Sequence, residues 1–181
     1  MRKVKVLLAA LLSVTTVFGA MIPTHAASSE VQIEIEATDM NVSVTVPSTL
    51  PIVFHADGTN TFPTNWTIEN KSAIAGIHLT GVEMDAEKTD WRLLEGSVDV
   101  KMQSADCKSI QFFMGKENAL KLIVPTEGTE SAKGAVTFEK TDISIPAGGK
   151  QNISFDVERG AFTQTEASAK AFQMVLNFAF N

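Results

Sequence analysis

Past position 26 the chain offers two imidazoles, His55 and His78, and a single thiol, Cys107. A thiolate nucleophile needs an imidazole beside it, and nothing in the spacing of these residues brings the two together. His78 falls in the alternation Ile77-His78-Leu79, which sets it on the face opposite the buried one. His55 adjoins the Asp57-Gly58 turn, where it can satisfy loop carbonyls, and a lone cysteine is usually a packing residue. The acidic run Asp85, Glu87, Asp90 could gather carboxylates around calcium, but it lacks the alternating oxygen ligands and central glycine of an EF-hand loop. It reads as a solvated loop. The chain has no His-Glu-x-x-His, Gly-x-Ser-x-Gly or Ser-x-x-Lys, no phosphate loop and no dinucleotide fingerprint. The expectation is a protein without catalysis, cofactor or metal. Trp66 and Trp91 are the two tryptophans, and tyrosine is absent. Exposed indoles stack on sugars, which makes this pair a candidate ligand platform for a glycan; in a β-sandwich the same residues also serve as core plugs.

The elements that must carry these residues repeat with period two. Val31, Ile33 and Ile35 alternate with Gln32, Glu34 and Glu36, and Met40, Val42, Val44 and Val46 alternate with polar residues, the pattern of half-buried strands. Pro47 and Pro51 punctuate the exit from the second run, since proline cannot donate to a ladder. Asp57-Gly58 is the strongest short-range turn signal. Further strands are predicted at 65–69, 74–84, 91–94, 98–102, 109–114, 120–124, 135–138, 143–145, 153–157 and 170–180, with turn residues between them. The alanine-rich stretch 163–171 reads as a short helical turn feeding a long terminal strand. Many short alternating strands predict an all-β fold, a single Ig-like β-sandwich with that helical turn before the C-terminal strand. There is no internal repeat and no linker, so 27–181 reads as one domain.

Residues 1–26 have the three parts of a secretory signal peptide: Arg2, Lys3 and Lys5, then the apolar run 6–18, then Thr24-His25-Ala26 for cleavage before Ala27. The apolar run is short of the roughly 20 residues needed to span a bilayer. The rest of the chain carries no second apolar span and no sorting signal, so the expectation is a secreted or extracellular protein without a membrane after signal removal, with cell-wall association by non-covalent contacts. The formal charge is −6, and the signal segment holds three of the basic residues and no acid, so the remainder is more acidic still. Such a chain repels phosphate backbones, and nucleic acid is not an expected partner. At 44% hydrophobic and 20% charged residues the composition is that of a globular domain rather than a disordered one. One cysteine excludes a disulfide within the chain and points to a bacterial exterior. The four Asn-x-Ser/Thr triplets, at Asn41, Asn65, Asn70 and Asn152, read as solvated strand and turn polarity.

The remaining feature concerns interaction. Two strand patterns stand immediately behind the cleavage site, and the chain finishes in a long apolar strand. A terminal strand can leave its own sheet and complete a neighbour's, because an unpaired edge supplies a row of donors and acceptors. Val31, Ile33 and Ile35 mark the candidate strand-donor segment, with self-assembly or other surface proteins as partners; internal pairing of both termini is the alternative.

The run Val44-Thr45-Val46-Pro47-Ser48-Thr49-Leu50-Pro51-Ile52-Val53-Phe54, then Ala56-Asp57-Gly58-Thr59 and Ile68-Glu69-Asn70-Lys71-Ser72, resembles small secreted or surface proteins of Gram-positive bacteria, especially Firmicutes. Ile143-Ser144-Ile145-Pro146-Ala147-Gly148-Gly149 resembles a later stretch of the same group. The resemblance implies a β-sandwich at the cell surface and carries no activity. A looser similarity over 68–82 is to camelysin/TasA-type matrix-fibre proteins, and it implies assembly by a donated terminal strand. The expected function is a non-catalytic structural or adhesive protein working through edge or terminal strands; the alternative is an extracellular carbohydrate- or cell-wall-binding module using exposed tryptophan.

Overall fold

The computed structural model describes residues 27–36, 43–55, 57–163 and 169–181, and for 27–36 it describes the backbone pairing. The expected signal segment, Asn41 and Val42 of the Asn41 triplet, residues 40–42 of the strand expected over 40–46 and residues 164–168 of the expected helical turn lie outside the described residues. The first strands are β1 (Ala27–Glu36), β2 (Val44–Thr45), β3 (Thr49–Phe54), β4 (Asn60–Thr61) and β5 (Thr67–Asn70). They are followed by β6 (Ile77–Asp85), β7 (Arg92–Leu94), β8 (Ser109–Lys116), β9 (Ala119–Pro125) and β10 (Glu130–Ser131). The last are β11 (Lys133–Thr137), β12 (Ser144–Ile145), β13 (Lys150–Asn152), β14 (Ser154–Arg159) and β15 (Ala169–Phe180).

One hydrogen-bonded path runs β10-β7-β8-β9-β11-β6-β15-β1-β3-β4, with β14 paired to β8 and β12 to β6, while β13-β5-β2 forms a second, three-stranded sheet. The path folds back on itself: the Asn60 amide at its β4 end donates to the Val157 carbonyl on β14 at 2.7 Å. The small sheet joins this structure where the Ile153 amide donates to the Trp66 carbonyl at 2.9 Å. Between the layers lies a core that includes Trp66, Ile68, Leu79, Val82, Leu93, Phe112, Phe172 and Leu176, all buried. The fold is an all-β sandwich, as the alternation predicted. Among the described residues no helix is long and apolar enough to cross a membrane.

Departures from the expected elements have local causes. Residues 98–102 form a 3-10 turn at Val100–Met102 rather than a strand, because the Asp99 carboxylate accepts from the Lys101 amide at 2.9 Å and caps it. Ala169 and Ala171, expected to be helical, extend the terminal strand: Ala169 pairs with Ser29 of β1, and from Gln173 the strand has partners on both sides, which outweighs alanine's helix propensity. On β6 both Leu79 and Val82 point inward although three positions separate them. A bulge at Thr80 opposite the Asn177–Phe178 step resets the alternation, and the Thr80 hydroxyl donates to the Asn177 carbonyl at 3.0 Å. Asn65 and Asn152 are exposed, but Asn70 is fully buried, contrary to its reading as solvated polarity.

The Asp57-Gly58 turn closes the β3–β4 hairpin. Gly58 has φ +90°, a conformation that favours glycine, and the Asp57 carboxylate accepts from both the amide and the hydroxyl of Thr59. Those two bonds hold the Asp57 carboxyl below its ordinary pKa.

Candidate functional site: a strand slot between β3 and β15

β1 is the strand that joins β15 to β3 in the sheet path. Its first half pairs antiparallel with β3, from Ala27 opposite Phe54 to Gln32 opposite Thr49. It pairs in parallel with β15, from Ser29 opposite Ala169 to Glu36 opposite Asn177. Among the candidate donor residues, Val31 stands opposite Leu50 and Phe172, Ile33 opposite Met174, and Ile35 opposite Leu176. The terminal strand is therefore seated in its own sheet, in a slot whose two walls carry the buried residues Leu50, Ile52, Phe172, Met174 and Leu176.

The walls are held by residues outside β1. Trp91 lies with its ring centroid 5.7 Å from Phe54 on β3 and 6.0 Å from Phe172 on β15. One side chain thus touches both walls, and ring contacts of this kind add stabilisation beyond buried area. Thr89, two residues earlier, donates its hydroxyl to the Ala171 carbonyl at 2.8 Å. Ala171 is the residue skipped where β15 shifts register against β1 between Glu30 and Val31, so Thr89 satisfies a carbonyl at that irregularity. At the other end of β3 the Trp66 indole N–H donates to the Thr49 carbonyl at 3.2 Å, and its ring meets Phe155 edge-on at 5.1 Å.

Arg159 fastens the hairpin end of the slot. Its guanidinium donates to the His55 carbonyl at 2.6 Å, the Thr59 carbonyl at 3.3 Å and the Asn60 side-chain oxygen at 2.9 Å. It also lies 5.0 Å from the Phe54 ring centroid and 5.1 Å from that of Phe162, within cation–π range. Burial lowers the pKa of this guanidinium, and the Asp57 carboxylate opposes that shift. No motif search finds such a residue. The available signal was parity: Phe155, Val157 and Arg159 share a face, so the alternation that buries the first two buries the arginine as well.

Trp66 and Trp91 are 2% and 6% exposed, so neither forms the ligand platform that a glycan would need. The sandwich uses both as buried supports of β3, and the platform reading is corrected accordingly. The other chemically capable groups are dispersed. The His55 ring meets the Thr61 hydroxyl at 2.8 Å, and the His78 ring meets the Asn181 amide oxygen at 3.1 Å. The half-buried Cys107 thiol donates to the Ser109 hydroxyl at 3.2 Å, which in turn donates to Glu130 at 2.6 Å. In the acidic run, Asp85 accepts from the Glu87 amide, Glu87 pairs with Lys133 at 2.9 Å, and Asp90 lies 4.0 Å from Lys108. Among the described residues no group of three or more His, Cys, Asp or Glu is placed to hold a metal ion.

Compared with family models, with curated proteins and with solved structures, the chain matches none.

Proposed function

We propose that this is a non-catalytic structural or adhesive protein of the extracellular surface that associates by strand exchange: β1 leaves its slot and the slot receives the same segment of a second copy. The observation that carries this reading is that both walls of the slot have supports of their own. Trp91, Trp66, Thr89 and Arg159 hold β3 and β15 through contacts that do not involve β1. A strand flanked on both sides contributes backbone bonds to two neighbours, so an empty slot exposes two rows of donors and acceptors that a second strand can fill. The signal-type segment at 1–26 and the resemblance to Gram-positive surface proteins support an extracellular setting, with cell-wall association or other surface proteins as further partners.

The test is the molar mass of residues 27–181 in solution over a concentration series, beside a variant lacking 27–37. Growth into large species by the first and its loss in the second is the expected result. A monomer at every concentration, or growth unaffected by the deletion, overturns the reading.

A further inference from the structure

We propose that Arg159 is the latch that sets how readily β1 leaves its slot. The slot has two walls of unequal support. β15 is paired along most of its length with β6, from Gln173 opposite Asp85 to Phe180 opposite Ile77. β3 has a weaker anchor: among the described residues its backbone ladder on the side away from β1 consists of the two-residue β4, through Val53–Thr61 and Phe54–Asn60. Beyond β4 the backbone ladder stops, and the hairpin is attached to β14 by side chains.

Phe62, just past β4, stacks on Phe155 of β14 at 6.4 Å, and among the described residues Asn60 and Arg159 make the polar part of that attachment. Asn60 donates to the Val157 carbonyl at 2.7 Å and accepts from Arg159 at 2.9 Å. Arg159 takes the two turn carbonyls of His55 and Thr59 and covers the ring of Phe54, the last residue of β3. Phe54 is the register partner of Ala27, the first residue of β1. The latch therefore acts at the end of the slot where β1 begins, and a strand peels most readily from an end. The turn carbonyls also accept from the turn's own amides, Gly58 to His55 at 3.1 Å and His55 to Thr59 at 2.9 Å; what the charged fork adds is a tie from that turn to β14, three charge-assisted bonds that are lost together.

This latch deepens the strand-exchange reading and rests on it for the assembly step alone. Hydrogen exchange on the full chain tests it, with Arg159→Lys, which keeps the charge and loses the fork, and Asn60→Ser, a milder change that covers the case in which the arginine variant fails to fold. The expected result is amide exchange about tenfold faster or more in 27–36 and β3, with β8 and β9 unchanged. Unchanged exchange in 27–36, or an equal rise in every strand, overturns the latch. Assembly measured on the same samples separates the two claims. Faster β1 exchange with faster assembly supports both, whereas faster β1 exchange with unaltered assembly keeps the latch and removes the strand-exchange reading.

Discussion

Trp91 and Phe172 meet with their ring centroids 6.0 Å apart, which ties a residue at the entry of β7 to the far wall of the β1 slot. Replacing Trp91 with alanine removes that contact together with the one to Phe54 and leaves a void between two walls that cannot close while β1 occupies the slot. The expected cost is about 3–5 kcal/mol in urea unfolding. Trp91→Phe, which keeps a ring in place, should cost distinctly less. Equal losses in the two variants would mean that the indole does not bridge the walls.

Asn70 offers a sharper test of hydrogen-bond chemistry. Its amide donates to the carbonyls of Ala75 at 2.8 Å and Pro146 at 3.1 Å, and its oxygen accepts from the Ser72 amide at 3.0 Å. Asn70→Asp keeps the shape and turns a donor into an acceptor facing two carbonyls. The charge is then buried among oxygens, with an expected loss of about 3 kcal/mol or more at neutral pH. That loss should shrink as the medium is acidified and the new carboxyl regains a proton.

Acid sensitivity is expected of the parent protein as well. Asp142 is held below its ordinary pKa chiefly by the Lys121 ammonium and then by the Glu139 amide. Glu69 is lowered by Lys71, with Lys150 adding to the effect. A carboxyl whose folded pKa lies below its unfolded value stabilises the fold fully above the unfolded value, 3.8 for Asp and 4.5 for Glu. That contribution is lost as the pH falls through the folded value. Urea midpoints should be level from neutral pH to about 5 and fall below about 4. Asp142→Asn should flatten part of that fall, and an unaltered profile would remove Asp142 from the account.

Cys107 should behave as a packing thiol. Because it donates to Ser109 and is half-buried, a thiol reagent should label it slowly in the folded protein and rapidly in urea. Cys107→Ser should cost about 1 kcal/mol or less. Rapid labelling of the folded chain would point to an activated thiol and reopen the question of catalysis.

Alternation made the strands legible where they keep step, as in 31–35, 109–114 and 172–176. It failed where a bulge or a local cap intervened, at Thr80 and at Asp99, because both are decided by neighbours distant in sequence or by a single side-chain bond. The burial of Trp66 and Trp91 was one of two readings open to the sequence, and which applied depended on Phe155, Phe54 and Phe172 arriving from other strands. Arg159 could be placed inward by parity. Its partners could not be found, because the carbonyls of His55 and Thr59 carry no side-chain signature.

The parallel pairing of β1 with β15 has a kinetic consequence. Joining strands so far apart in sequence closes a very large loop, and such contacts form late. On a growing chain β1 is made early, while the edge it must lie against exists only after β15 has been synthesised. Until then β1 has β3 for company on one side and an unfilled row of amides on the other. Chains held close together during that interval can trade first strands before either has closed, so crowding at the moment of synthesis, more than the stability of the finished fold, would govern how many molecules become linked.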